Sequence, residues 1–368
     1  MRHPQCHHGI VSSLLLACAL LLQACSSPDM PSGDEVLTPI KVKVVVAAMF
    51  ERGESRGDEP GELQHWVERL GLDIEHEFVL GQDVLYMNDA GVMAILTGGG
   101  ITNATASIMA LGLDERFDLT QSYWLIAGIA GADPEDLSLG SAAWANHVVD
   151  GDLLYEIDGR EIPDDWPYGM IPLGSKEPTT DPDELQGGWS VDTIAFTLNP
   201  QLVNWAYSIT QYIELDDAPG ITAFREHYKN YPQAQRPPFV TIGDSMSSST
   251  YWHGKYMNQW ANDWIKLYRG ADANFMTSGM EDSGSLTSLT RLARDGRVDL
   301  DRVLVLRTAS NFTMPPDDQT AQWSKTQPYP DGGQPSIEAA FVVGNTVVQA
   351  LVTNWDQYRD NIPEVSEE

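Results

Sequence analysis

The sequence predicts an α/β fold of three layers, in which helices flank a mixed, largely parallel β-sheet. Strand-like and helix-like patterns alternate along the chain, as they do in domains built on such a sheet. Residues 41–49 form a β-branched apolar run that is typical of a buried parallel strand. Near the C-terminus, Ile337, Phe341 and Val348 fall on one face of a predicted helix. We therefore expect ligands to bind beyond the carboxyl ends of the strands.

The same patterns predict the individual elements in order. Apolar runs predict strands, and apolar residues three or four positions apart predict helices. Residues 158–188 are rich in proline and acidic residues, which indicates a loop inserted at one edge of the domain. The predicted strands are 41–49, 92–97, 123–127, 142–149, 239–242, 273–277 and 302–307, and the predicted helices are 62–70, 102–111, 200–214, 221–231, 258–268 and two more that follow Asp282 and Ser336.

The charge of the chain argues against nucleic acid as a partner. The 368 residues include 22 Lys and Arg against 53 Asp and Glu, a formal net charge of −31. Such a surface repels nucleic-acid phosphates.

Cys6, Cys18 and Cys25 are the three cysteines, so no disulfide or thiol metal site is expected beyond them. We expect no metal or other cofactor, with free phosphate left open as a co-substrate that would need nearby arginines.

The N-terminal segment predicts export and a lipid anchor. Residues 10–22 are apolar but too short to span a membrane comfortably, and Leu22-Gln23-Ala24-Cys25 resembles a bacterial lipobox. The alternative is an ordinary cleaved signal peptide with an incidental cysteine. We therefore predict a protein lipidated at Cys25 in the bacterial cell envelope, in the outer membrane facing the periplasm. The predicted organisation is a signal peptide at 1–24, a tether at 25–40, a domain at 41–363 and an acidic tail at 364–368.

Glycine, acidic and amide residues at the predicted strand ends indicate a ligand site. Gly98 and Gly99 precede a helix, where backbone N–H groups can bind an anion or a sugar hydroxyl, although a simple turn is the alternative. Glu281 could accept hydrogen bonds from two ribose hydroxyls while Met280 packs on the sugar, or Glu281 could complement a helix dipole. Asn311 could stabilise a departing purine through its amide, or serve only in a turn.

Several short motifs together resemble the purine nucleoside permease family. That family is similar in turn to the nucleoside phosphorylases and nucleosidases, so the resemblance implies a phosphorylase-like fold and a purine nucleoside as ligand. It extends over residues 41–363, nearly the whole chain beyond the tether. The motifs are residues 48–51, 128–131, 243–254 and 280–284.

The resemblance also implies roles for individual residues. Residues at the first strand end and at the glycine loop would approach the phosphate or water nucleophile. Others would contact the base or the ribose, or would form a lid, which is a loop that covers the purine. The residues near the nucleophile are Glu51, Arg52, Thr97, Gly98 and Gly99. Gly131 would lie beside the base, Ser245, Met246 and Ser247 would belong to the purine-covering loop that follows Asp244, Met280 and Glu281 would bind ribose, and Asn311 would face the base. Apart from the resemblance, Asp244 could orient this loop or cap its turn, and His253 could contact ribose or base or be a packed structural residue.

Two departures from the superfamily pattern leave the chemistry open. Nucleosidases carry a carboxylate, thought to activate water, where this sequence has Arg52, with Glu51 one position away. Asn311 cannot donate a proton as an aspartic acid can. We therefore predict cleavage of the N-glycosidic bond by water or phosphate, with a non-catalytic nucleoside-binding component of transmembrane transport as the alternative. A homo-oligomer is possible.

Overall fold

The structure, a computed structural model, describes residues 38–185 and 191–365. Its strands are Ile40–Lys41 (β1), Val44–Ala48 (β2), Ile74–His76 (β3), Leu85–Met87 (β4), Val92–Leu96 (β5), Phe117–Asp118 (β6), Tyr123–Ala132 (β7), Ala142–Asp150 (β8), Leu154–Glu156 (β9), Met170–Pro172 (β10), Ala195–Thr197 (β11), Val240–Ser247 (β12), Phe275–Gly279 (β13) and Val303–Phe312 (β14). Its α-helices are Gln64–Arg69 (α1), Ile101–Gly112 (α2), Pro200–Thr210 (α3), Pro219–Arg225 (α4), Lys255–Arg269 (α5), Asp282–Arg294 (α6), Ala321–Thr326 (α7), Gln334–Thr353 (α8) and Trp355–Tyr358 (α9).

A ten-stranded mixed sheet organises the described residues, in the order β11-β8-β12-β13-β7-β2-β5-β4-β3, with β14 bound to both β7 and β8. Parallel pairing dominates this sheet: β14 pairs with β7 over nine residues and β12 with β8 over seven. Its antiparallel pairings each match no more than three residues. The predicted α/β fold with a mixed, largely parallel sheet is therefore confirmed.

Strand β14 closes part of the sheet into a ring. The strands β8, β12, β13, β7 and β14 each bond to the next, and β14 returns to β8 through antiparallel pairing at Leu306, Arg307 and Thr308. This closure lengthens β7, β12 and β14 by five residues each beyond their predicted carboxyl ends. Glycine, serine and asparagine have low strand propensity, but here backbone pairing with neighbours holds them extended.

Helices cover the sheet and bury its apolar side chains. The helices α1 and α3 each contact α8, and α8 packs on β7 and β14. Helix α5 packs against β8, β12 and β13, with Trp260 and Trp264 buried. Among the described residues, Pro330–Thr353 has the length and composition of a membrane span, but more than half of that window is buried in the protein. Its contacts with β7 and β14 are those of a core helix.

Candidate functional site

The carboxyl ends of β2, β7, β13 and β14 surround a cavity of about 140 Å³, which we call the central cavity. Four predicted site residues line it: Gly131, Met280, Glu281 and Asn311. These residues are up to 180 positions apart in the chain. The other lining residues are Met49, Phe50, Glu62, Ile129, Ala130, Tyr251, Ser278, Gly279, Arg307, Ser310 and Tyr329.

Strand register explains why these residues meet. Gly131 pairs with Ser278 of β13 on one side and with Asn311 of β14 on the other. The register of β14 shifts between Ala309 and Asn311, and such a bulge re-aims the side chains that follow it. A Cβ atom at Gly131 would lie only 3.4 Å from the Asn311 Nδ2 atom. The absence of a side chain at Gly131 therefore lets Asn311 and Thr313 pack close to β7.

A buried ion cluster forms the floor of the central cavity. Arg307 is 1% exposed and donates to Asp282 at 2.6–3.1 Å, to Glu281 at 3.1 Å and to the Ile129 carbonyl at 3.0 Å. The other Glu281 oxygen accepts from the Gly100 amide at 3.1 Å. Glu281 therefore has a fixed orientation, and it joins the glycine loop before α2 to the start of α6. One positive charge, that of Arg307, therefore faces the two carboxylates of Glu281 and Asp282, and Glu281 lines the cavity while Asp282 lies beneath it.

Glu62 is a site residue that the sequence analysis missed. It precedes α1, is 5% exposed, and accepts hydrogen bonds from the Met49 amide at 2.9 Å and the Ile129 amide at 2.7 Å. Burial raises its pKa from 4.5 to about 8; Arg307 and the two amides oppose the shift, and Glu281 adds to it. Nothing in the local sequence separates Glu62 from its neighbours Glu51 and Glu59; only the fold does.

Gly128 leaves room for this carboxyl group. A Cβ atom at Gly128 would collide with the Glu62 Oε1 atom and with the Met49 Cε atom. Gly128 lies within β7, whereas the sequence predicted a strand end there. The glycine-rich run of residues 128–131 therefore lets the strand pass close to both the acid and the ligand space.

Asn311 and two tyrosines form one wall of the central cavity. The Asn311 Nδ2 atom donates to the Tyr251 hydroxyl at 2.8 Å and to the Phe312 carbonyl at 3.2 Å, while its Oδ1 atom accepts from Ser310 at 3.1 Å. Tyr329 lines the same wall. A purine that used the Asn311 amide as a donor would therefore have to replace the Tyr251 hydroxyl.

The structure gives Glu51 and Arg52 contacts away from the central cavity. The Glu51 carboxylate accepts from the Arg52 amide and from amides at or just before the start of α1, including Leu63 at 3.0 Å and Gln64 at 2.6 Å. Arg52 pairs with Glu59 at 2.5 Å and donates to the Gly332 carbonyl at 2.7 Å. Glu51 therefore caps the N-terminal end of α1, and Arg52 links its own loop to the segment at Gly332. Neither residue lines the central cavity with Glu281 and Asn311.

The glycine loop faces a neighbouring cavity instead. Gly98 and Gly99 line this second cavity of about 610 Å³, which adjoins the central cavity at Met49 and Phe50. Thr97 is buried behind the loop and lines neither cavity, since its amide donates to Ala48 and its carbonyl accepts from Ser107. Thr97 therefore has a structural role, which is to hold the glycine loop against β2 and α2.

The predicted lid residues do not form a lid. Asp244, Ser245, Met246 and Ser247 lie inside β12 and are buried. Asp244 accepts from His147 Nδ1 at 2.8 Å and from the Asn274 amide at 2.7 Å, Ser245 donates to Asp282, and Ser247 accepts from the Ser283 amide. Met246 packs in the core beside α5. Pairing with β8 and β13 extends β12 to Ser247, five residues beyond the strand end predicted at residue 242. The four residues therefore lie within the sheet and not in a loop over the cavity.

Comparisons with known proteins decide the family. The family model described as purine nucleoside permease matches residues 41–363. The chain belongs to the purine nucleoside permease family. A Schizosaccharomyces pombe member, named as a probable purine nucleoside permease, is 31% identical over 331 residues, covering 86% of this chain and 91% of that protein. The purine nucleoside permease of Candida albicans is 32% identical over 270 residues, covering 72% of this chain.

The Candida albicans protein is longer than the region it shares. The aligned region covers 65% of its length, so this chain spans less than two thirds of that relative. Similar solved structures include a 5′-methylthioadenosine/S-adenosylhomocysteine nucleosidase from Neisseria meningitidis, with 14% identity and a TM-score of 0.47 over 84% of this chain and 99% of that one. The Helicobacter pylori enzyme of the same name has 17% identity and a TM-score of 0.48, over 83% and 98%. The family assignment rests on the sequence matches.

The same comparisons correct the predicted location. The relatives that match are permeases of the fungi Candida albicans and Schizosaccharomyces pombe, not bacterial outer-membrane lipoproteins. The prediction of a lipid-anchored protein in a bacterial outer membrane is therefore wrong. The predicted signal peptide and Cys25 lie in residues 1–37, outside the part of the chain that the structure describes.

Proposed function

We propose that the central cavity binds a purine nucleoside and that water cleaves its N-glycosidic bond there. The observation that carries the proposal is the meeting of Met280, Glu281, Asn311 and Glu62 around one cavity. Glu281 accepts hydrogen bonds from the ribose hydroxyls, Met280 packs on the sugar, and Asn311 donates to the base. The names of the fungal relatives support a purine nucleoside as the ligand.

Glu62 provides the group that receives a proton from water. Its raised pKa, about 8, lets a small anionic fraction exist at neutral pH beside the sugar subsite. The water oxygen bonds to C1′ as the bond from C1′ to the purine nitrogen breaks, and Glu62 takes the proton that water loses. The purine leaves with the bonding electrons, stabilised by the Asn311 amide, and takes a proton from solvent.

Charge favours water over phosphate as the nucleophile. Arg307 is the one cation among the residues that line the central cavity, and each of its three nitrogens already donates to Asp282, Glu281 or the Ile129 carbonyl. The second cavity is lined by Glu51, Glu54 and Asp83, without a Lys or Arg. A phosphate dianion would therefore meet carboxylates and no free cation, which opposes its binding.

The test is inosine cleavage by the purified protein, with and without inorganic phosphate. We expect free ribose and hypoxanthine without phosphate, and no ribose 1-phosphate when phosphate is added. Glu281→Gln should weaken nucleoside binding about tenfold or more, because an amide accepts fewer hydrogen bonds from the ribose. Glu338→Gln, in an exposed pair with Arg69, is the matched control and should not change activity. A strict phosphate requirement would contradict hydrolysis.

Binding without cleavage is the second candidate. The relatives are named permeases, and the Asn311 amide hydrogens are already bonded to Tyr251 and Phe312. In that case calorimetry would show tight inosine binding while chromatography shows the nucleoside intact after prolonged incubation. A membrane partner would then have to move the nucleoside.

A further inference from the structure

A small pocket adjoins the central cavity behind the wall formed by Tyr251, Asn311 and Tyr329. We call it the His253 pocket; its volume is about 30 Å³, and these three wall residues line both spaces. His253 and Lys325 line only the pocket. Such a volume holds one water-sized polar group. The pocket is therefore too small for a ring but large enough for a single exocyclic atom of a base.

His253 faces this pocket with both ring nitrogens unpaired. Neither its Nδ1 nor its Nε2 atom has a hydrogen-bond partner in the described structure, although both atoms are buried. Its neighbours fix it in place: Trp252 packs on Trp260, and the Gly254 amide donates to the Thr313 carbonyl at 2.9 Å. Buried polar atoms normally have hydrogen-bond partners, so the unpartnered imidazole indicates that a polar group of a ligand binds there.

The charges at the pocket favour an oxygen over an amino group. Burial lowers the pKa of His253 to about 4, and the positive charge of Lys325 adds to the shift. The imidazole is therefore neutral near pH 7, with one N–H donor and one acceptor. The Lys325 Nζ atom lies 5.1 Å from the centre of the Tyr251 ring. An imidazole N–H and a nearby ammonium both attract an oxygen atom, whereas the ammonium repels the positive end of an amino group.

We propose that the His253 pocket receives the exocyclic oxygen of a 6-oxopurine base, with the His253 N–H as its donor and Lys325 as the nearby charge. The inference rests on the proposed nucleoside-binding function. The base reaches the pocket when the Tyr251 hydroxyl leaves the Asn311 amide, which it occupies at 2.8 Å. Asn311 then contacts the five-membered ring of the purine, and His253 contacts the oxygen beyond it. His253 and Lys325 thereby set the base preference.

The test is calorimetric titration of the purified full chain with inosine and with adenosine. We expect inosine to bind about tenfold more tightly than adenosine, the factor that one well-placed hydrogen bond contributes. His253→Ala should weaken inosine binding about tenfold and adenosine binding less. Lys325→Met, a change at an exposed side chain, should reduce the preference for inosine. His227→Ala is the matched control, because His227 packs on Trp323 and lines neither space.

Three outcomes would count against these proposals. Equal affinities of the wild-type protein for the two nucleosides would overturn the inference and leave nucleoside binding intact. Unchanged inosine affinity in both His253→Ala and Lys325→Met would do the same. If neither nucleoside binds to a wild-type chain that unfolds cooperatively on heating, then the proposed function itself fails.

Discussion

At the scale of the residue, Glu62 is the clearest case of a side chain whose chemistry depends on the fold. Two backbone amides hold its carboxyl group in place, yet burial still raises its pKa to about 8. An uncharged acid is stable there, while an ionised one lacks a full counter-charge, since Arg307 pairs with Asp282 and Glu281. The protein therefore loses stability to keep an acid that ionises close to neutral pH.

Glu62→Gln should make the protein more stable above neutral pH. The folded-state pKa lies above the ordinary value of 4.5, so the stability from the neutral acid is complete below pH 4.5 and is lost as pH rises toward about 8. The loss reaches about 3 kcal/mol at pH 7, to an order of magnitude. Urea unfolding of wild type and Glu62→Gln at pH 5, 7 and 9 should show a gap that widens with pH; a constant gap would contradict the raised pKa. The variant should also lose hydrolysis.

Part of the site could be predicted from the sequence, because some of its residues lie in a recognisable local pattern of strand and helix. Met280 and Glu281 follow a strand and precede a helix, a pattern visible in the chain, and the structure places both at the central cavity. Glu62 and Tyr329 lie in irregular segments, where position depends on distant contacts. The link from Arg52 to Gly332, for example, spans 280 positions. Long-range placement of this kind leaves no local pattern.

At the scale of the element, the turn from β5 to α2 is fixed by two glycines with positive φ angles and by one acid. Gly98 and Gly100 have φ angles of 81° and 89°, which favour glycine. The Gly100 amide donates to Glu281, and the next amide, of Ile101, donates to the Ser249 hydroxyl at 3.1 Å. The turn therefore helps to orient the carboxylate that we assign to ribose.

Gly100→Ala should weaken both the turn and ligand binding. An alanine at a φ angle of 89° is strained by about 1–3 kcal/mol, and relief of that strain would move the amide away from Glu281. Gly99→Ala is the control, because a Cβ atom there meets nothing within 4 Å and the φ angle is not in the positive range. Thermal unfolding and inosine titration should both distinguish the two variants. Equal behaviour of Gly100→Ala and Gly99→Ala would contradict the role of this turn.

Most elements were predictable, but several of their ends were not. The apolar stretches of β2, β5 and β8 agree with the predicted strands to within a few residues, since buried parallel strands have a clear composition. The carboxyl ends of β7, β12 and β14 were missed because ring closure pairs polar and small residues there. For that reason Asp244 was expected in a covering loop.

At the scale of the whole molecule, the formal net charge of −31 acts on stability. Like charges on a compact surface repel one another, and dissolved salt screens that repulsion. The midpoint of thermal unfolding should therefore rise between 10 mM and 200 mM sodium chloride. Sodium sulfate is unsuitable here because it also strengthens apolar burial. A midpoint that falls or stays constant would show that attractive surface pairs outweigh the net repulsion.

Strand β14 completes the ring of strands, and this has a consequence for synthesis of the protein in the cell. This strand ends at Phe312, bonds to both β7 and β8, and supplies Arg307 and Asn311. A chain still growing on the ribosome cannot complete the ring until that strand has left the exit tunnel. A nascent chain stalled before residue 303 should therefore lack nucleoside affinity, so the ligand cannot assist the early stages of folding.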